Sequence, residues 1–244
     1  MRVLAIETAA PTASAALVDA GGVLASRTLR APMRHLEWLA AAIDGMLRDA
    51  GLRPEHVDAV AVGRGPGGFT GLRIGIATAA AWARARGVPV LGVGTLETLA
   101  GSAGASGLVL PVLDAHRGEV AAALYRVGAA ADPVCLVPAL VAGPGAAVAE
   151  VRPALGPAPG SVVVAGDGLA RHRDALIAAL ADAGVHEPVE RPDVYPRAEI
   201  AGLTARVRLL RGERDEPAGL LPVYGRRPAI RPWQETSMRP GSEG

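Results

Sequence analysis

The hydrophobic pattern begins with a short aliphatic run, residues 2–8 (RVLAIET), bounded by small residues, which predicts a buried strand. Residues 14–18 predict a second strand, and the turn sequence DAGG at 19–22 leads to a third at 23–29, an antiparallel meander. Leu36, Leu39, Ala40, Ile43, Leu47 and Ala50 then follow the three-four spacing of an amphipathic helix that Gly51 closes. A strand at 59–62 enters a glycine-rich loop and a second helix at 72–86; Gly87 and Pro89 end it, and 88–93 predicts another strand.

The same order then recurs. Residues 108–113 (LVLPVL), 119–127 and, more weakly, 133–137 predict three strands, with a turn at 116–118. Residues 139–159 are rich in Ala, Gly and Pro and offer only a short helix around 146–152. A strand at 161–165 (SVVVA) and a helix at 169–183 complete the repeat. Each first strand ends in an acid (Glu7, Asp114), and glycine follows each fourth (Gly63, Gly166). This arrangement predicts an α/β, actin-like (ribonuclease-H-like) duplicated fold with two βββαβα halves. The expected division is 1–105 for the first half and 106–197 for the second. A helix within 198–214, striped by Ile200, Leu203, Val207 and Leu210, is expected to pack back on the first half. Residues 231–244 read as a polar, disordered tail.

Composition narrows the picture. Half of the 244 residues are hydrophobic but only 3% are aromatic, so the core must be built from small and aliphatic side chains. The 25 basic residues are all Arg, against 24 acids, and a net charge of +1 gives no basic excess for direct nucleic-acid binding. The single Cys135 excludes an intrachain disulfide framework and fits a reducing compartment; its place in the apolar run 134–137 predicts a core position. With no apolar signal region and no run long enough to span a bilayer, the cytoplasm is the expected location.

Three groups of residues could carry chemistry. The first is the loop GRGPGGFTG, comprising Gly63, Gly65, Pro66, Gly67, Gly68, Phe69, Thr70 and Gly71. A glycine turn opening a helix can present backbone N–H groups to an anion, or it can simply permit close packing. It is not a Walker A loop, because the chain has no Lys. The second group is a possible nucleotide cleft of Glu7, Thr8, Asp114, Gly166 and Gly168, in which the two acids would position magnesium and water. Against that reading, no glycine-rich phosphate loop follows Glu7, and Ala115, His116 and Arg117 crowd the position after Asp114. The third is the helix pair. The second helix is small on several faces (Gly75, Ala77, Ala79) with one large anchor, Trp82, while Trp38 and Met46 stand outside the main stripe of the first. The two Trp residues could complete the core or anchor a contact with another protein. Arg73 could hold a carboxylate or stay solvated; His35 reads as a polar surface residue. The five histidines are scattered and form no metal-ligand motif.

The motifs themselves resemble a known family. GRGPGGFTGLRIG followed by GVPVLGVGTLETLA is similar to the signature region of the TsaB family, and AIETA, RHLEWL, VLDAHRGEVAAALY and LPVYGRRP extend the resemblance over most of residues 1–230. The resemblance implies a non-catalytic subunit that binds and activates TsaD, with TsaE as a further partner ATPase, in threonylcarbamoylation of adenosine 37 of tRNA. It also implies a homodimer when the chain is alone, contact with tRNA only through the complex, and no membrane association. No cofactor would be tightly bound, with ATP or ADP only at the partner interface. The implied interface comprises His35, Trp38, Leu39, Ala42, Met46, Arg73, Gly75, Ala79, Trp82 and Arg86. The family's catalytic relative carries two metal-binding histidines four residues apart, where Thr95 and Leu99 stand in this chain. Neither side chain ligates as imidazole does, so no catalytic or metal residue is expected. The competing reading is an independent actin-like ATPase or small-molecule kinase using Glu7 and Asp114; a peptidase ranks last, for want of a zinc ligand set or a nucleophile–base pair.

Overall fold

Aliphatic runs of five to ten residues dominate the sheets of the computed structural model, which describes residues 1–30, 35–128, 133–157 and 159–224, excluding the side chains of residues 35–37. The first half contains β1 (Val3–Glu7), β2 (Ala13–Asp19), β3 (Gly22–Leu29), α1 (His35–Asp49), β4 (Ala59–Gly63), α2 (Phe69–Arg86), β5 (Val90–Val93) and α3 (Thr95–Ser102). The second contains β6 (Gly107–Asp114), β7 (Val120–Val127), β8 (Pro133–Ala142), α4 (Pro144–Leu155), β9 (Val162–Ala165), α5 (Asp167–Asp182) and β10 (Val189–Arg191), and α6 (Ala198–Leu210) follows.

The sheets repeat one topology. The first has the order β3-β2-β1-β4-β5 and the second, read from its opposite edge, β8-β7-β6-β9-β10. In each, the first strand pairs antiparallel with the second and parallel with the fourth. This is the duplicated actin-like α/β fold, and it sets Glu7 and Asp114 at the same place in their respective halves, the end of the central strand.

Each sheet is covered on both faces, and the halves exchange helices. Leu4, Ile6 and Leu17 pack against Leu39, Ile43 and Met46 of α1 and Ile76 and Ala79 of α2. The opposite face of the same sheet takes α6, the last helix among the described residues. In the second half α4 and α5 cover one face, while α3, which precedes β6, covers the other through Leu96 and Leu99. Burial of these side chains stabilises each layer by roughly 25 cal/mol per Å² of apolar surface.

Several expectations need correction. The stripe Ile200, Leu203, Val207 and Leu210 is not the buried face of α6, because Leu210 is exposed and the other three are only half-buried. Ala198, Ala201, Gly202 and Ala205 face the sheet instead; a Cβ on Gly202 would lie 2.9 Å from the Ala5 Cβ, so small residues set this close approach. Met46 is fully buried in the first core rather than standing outside it. Cys135 is exposed, because β8 is an edge strand and is open here, with the adjacent Val134 exposed as well. Strand β8 runs to Ala142, well past residue 137, and α4 occupies much of the segment expected to be irregular. Helix α2 begins at Phe69, three residues before the expected start at Leu72. Neither α3 nor β10 was expected as an element. The expected tail at 231–244 lies outside the described residues.

Candidate functional site

At the end of β1, Glu7 is fully buried. Its Oε1 accepts the Ala9 N–H at 2.9 Å and its Oε2 the Thr95 hydroxyl at 3.4 Å. Desolvation outweighs these hydrogen bonds and pushes the carboxyl up to about 7. Thr95, the first residue of α3, also joins the glycine-rich loop, since its Oγ1 accepts the Gly65 N–H at 3.1 Å and its N–H donates to the Gly65 carbonyl at 2.9 Å.

The loop's glycines are used for close approach. A Cβ on Gly63 would overlap the Glu7 carboxyl, and one on Gly65, at φ 108°, would overlap the Val223 carbonyl. The Val223 N–H donates to the Arg64 carbonyl at 2.6 Å, so the C-terminal segment is seated on the loop. Ala9 and Thr8 fill the space beside Gly67 and Gly75, and the Thr8 hydroxyl donates to the Gly71 carbonyl at 2.8 Å. The backbone donors of Arg64, Gly65 and Gly68 go to Val93, Thr95 and Ala9. Of the two readings of this loop, packing is the one the geometry favours. Pro66 is buried, whereas Phe69 and Thr70 are exposed at the start of α2.

At the end of β6 the surroundings are opposite. One oxygen of Asp114 accepts from the His172 ring at 3.1 Å and the His116 backbone N–H at 3.1 Å. The other faces the His116 ring at 3.1 Å and the Arg171 guanidinium at 3.4 Å. Partial desolvation opposes ionisation, but the hydrogen bonds from His172 and His116 and the charges of His116 and Arg171 hold this carboxyl below its usual value. His116 reaches back because it sits at φ 61° in the tight turn before β7. Both oxygens are therefore engaged by the chain's own donors, and Mg²⁺ could reach neither without displacing them. Asp167, which accepts the Asp114 N–H at 3.1 Å, has its carboxyl raised, mainly by burial.

The remaining cleft residues pack in the same way. A Cβ on Gly166 would overlap the Val112 carbonyl, and one on Gly168 would lie 2.8 Å from the Leu113 carbonyl carbon. Thr95 and Leu99 are fully buried, Leu99 in the core beneath the second sheet. Among the described residues, no group of three His, Cys, Asp or Glu side chains could hold a metal ion.

The helix pair separates into inner and outer residues. Leu39, Ala42, Met46, Gly75 and Ala79 of the expected interface set are buried within the chain. Trp38 and Trp82 are half-buried against the first core, and the Trp82 Nε1 lacks a hydrogen-bond partner among the described residues. Arg73 and Arg86 are exposed, while the side chain of His35 lies outside the described residues. Sequence reasoning missed the segment Leu221–Tyr224, whose Tyr224 ring stacks on Phe69 with centroids 5.4 Å apart. The motif LPVYGRRP was its only signal. It also missed the ion pair of Glu97 with Arg208, which ties α3 to α6.

Known proteins share this architecture. Residues 12–137, just over half of the chain, match the family model described as TsaD, tRNA N6-adenosine threonylcarbamoyltransferase. An uncharacterized protein of Mycobacterium tuberculosis is 39% identical over 234 residues, covering 94% of both chains. The tRNA threonylcarbamoyladenosine biosynthesis protein TsaB of Escherichia coli is 41% identical over 130 residues, 52% of this chain and 55% of that protein. The solved structure of YeaZ from Pseudomonas aeruginosa superposes with a TM-score of 0.77 at 28% identity, over 91% of this chain and 99% of the other. The chain belongs to the TsaD family and stands within it among the TsaB (YeaZ-type) proteins.

Proposed function

We propose that this chain is a non-catalytic subunit of the machinery that forms threonylcarbamoyladenosine on tRNA, binding a TsaD-type transferase and holding it in its active arrangement. The observation that carries this reading is the state of the two acids. Glu7 is sealed beneath the glycine-rich loop, and Asp114 is occupied by His116, Arg171 and His172. A phosphate-handling site needs carboxylates that can meet a hydrated cation, and these two meet protein donors instead. The similarity to the TsaB of Escherichia coli supports the pathway, and the match to the TsaD model supports a partner of related fold.

In this reading the exposed parts of α1 and α2, including Trp38, Trp82, Arg73 and Arg86, face the partner. TsaE joins the complex, tRNA is engaged through the transferase, and the isolated chain pairs with itself. The location is cytoplasmic. The chain alone holds no nucleotide, and ATP or ADP would bind only where the partner completes a site. No helix among the described residues is long and apolar enough to cross a membrane.

The test is a reconstituted reaction in which threonylcarbamoyl transfer to tRNA by the TsaD-type protein is measured with and without this chain. Transfer should require the chain, and the purified chain alone should show no ATP turnover. Turnover by the chain alone that Asp114→Ala abolishes would replace this reading with the actin-like kinase or ATPase.

A further inference from the structure

A cavity of about 390 Å³ opens between the β1–β2 turn of the first half and residues 192–196, which join β10 to α6. Much of its wall is apolar, with Pro11 from the first half and Leu113, Pro192, Val194 and Pro196 from the second. The polar and charged side chains that line it are Thr12, Arg30, Asp167 and Asp193, with the Tyr195 ring beside them. Its size falls within the range of small-molecule sites, and a few polar groups among apolar walls is their usual make-up. None of these residues belongs to α1 or α2.

The wall formed by residues 192–196 is fixed by the chain itself. Before it, the Gly166 N–H donates to the Arg191 carbonyl at 3.1 Å. After it, the Arg197 N–H donates to the Ser102 hydroxyl at 3.1 Å and the Ala198 N–H to the Ser14 hydroxyl at 2.9 Å. Pro192 and Pro196 restrict the backbone between these ties, so little order remains to be imposed by a ligand.

Charges of opposite sign enter from the two halves. Arg30, just after β3, holds its guanidinium carbon 5.5 Å from the Tyr195 ring centroid. That contact uses the face of the group and leaves its N–H donors without a carboxylate partner among the described residues. Asp167 and Asp193 come from the second half, and neither forms a salt bridge among the described residues. The Asp167 carboxyl accepts the Asp114 N–H, yet burial, and after it the charge of Asp114, raises it above the ordinary carboxylate value. A cation placed beside it would favour its ionised form.

We infer that this cavity binds a free α-amino acid with a short aliphatic side chain. Its carboxylate pairs with Arg30, its ammonium with Asp167 and Asp193, and its side chain lies among Pro11, Leu113 and Pro196. A nucleotide fits badly, because two carboxylates face the space its phosphates would enter. A simple amine would leave Arg30 without a counter-charge, and a simple carboxylate would leave both acids without one. A zwitterion answers all three groups. Because Arg30 belongs to one half and the acids to the other, the bound amino acid also bridges the two halves.

The experiment titrates the full ¹⁵N-labelled chain with L-valine, L-valinamide and N-acetyl-L-valine, following the backbone amide resonances of Thr12, Leu113 and Val194. The three probes share one side chain and differ only in which charge they keep. L-valine should give saturable shifts at these amides, and each singly charged probe should bind about tenfold more weakly or worse. Arg30→Gln should weaken L-valine by about tenfold and leave L-valinamide unchanged; Asp193→Asn should weaken L-valine and leave N-acetyl-L-valine unchanged. Both positions are exposed, so neither substitution disturbs the core. Absence of saturable shifts with L-valine overturns the inference, as does L-valine binding that neither variant alters. Equal binding of L-valinamide would make the cavity a cation site, and equal binding of N-acetyl-L-valine an anion site on Arg30; either result overturns it as well. No partner protein enters the titration, so its failure leaves the proposed function standing.

Discussion

Glu7 and Asp114 occupy the same position in two copies of one topology, yet one is fully buried beneath the glycine-rich loop and the other stands among basic side chains. Glu7 has two hydrogen-bond donors and is driven toward its neutral form; Asp114 has imidazoles and a guanidinium and is held ionised. An actin-like pair of acids needs both groups ionised and both open. Here burial shifts the first acid toward its neutral form and shields it from solvent, and the chain's own donors engage both oxygens of the second. Duplication therefore fixes where an acid stands, while the next layer of side chains decides what the acid can do.

The largest expected effect breaks the comparison at the glycines. Gly63→Ala would drive a methyl group into the Glu7 carboxyl and should destabilise the fold by about 4 kcal/mol or more, measured by urea unfolding. Glu7→Ala in the same chain should recover much of that loss, because the obstacle is a side chain. Gly166→Ala, just after β9, meets the Val112 carbonyl and a φ of 115°, so Asp114→Ala should recover nothing.

A smaller effect separates the acids by sign. The Glu7 carboxyl binds its proton more tightly in the folded state, with its value rising from 4.5 to about 7. Its contribution therefore lowers stability as pH rises through that window, and the deficit is complete above about 7, at an upper value of about 3 kcal/mol. Glu7→Gln should raise the unfolding free energy at pH 8 and change it little at pH 4, as thermal unfolding across pH would show. Asp114 is displaced in the opposite direction, so its stabilisation is present above the ordinary carboxylate value of 3.8 and disappears as pH falls below it. Asp114→Asn should cost about 1 kcal/mol at pH 7 and nothing at pH 2, measured in the same way.

This contrast was only partly legible in the sequence. The central strands were readable because runs such as VLAIE and LVLPVL are aliphatic and continuous, and the two terminal acids followed from their ends. His116 was visible as a neighbour of Asp114, but His172 and Arg171 come from α5, more than fifty residues away, and no local pattern brings them together. The partner of Glu7, Thr95, lies on an eight-residue helix too short to show a clear period. The face of α6 was misread because hydrophobic periodicity follows large side chains, whereas this helix approaches the sheet through Ala and Gly. For the same reason α2 mixes buried Gly75 and Ala79 with exposed Ala77 and Ala81, which composition alone cannot separate.

The central claim is that the chain acts through a partner and that neither acid takes part in chemistry. The most direct measurement is threonylcarbamoyl transfer to tRNA in the reconstituted system, using this chain with Glu7→Gln and Asp114→Asn combined. A rate within about twofold of the unaltered chain is the predicted result, since both substitutions keep the shape of their sites. Loss of transfer by a folded double variant that still binds the TsaD-type protein would contradict the account and return the two acids to the reaction.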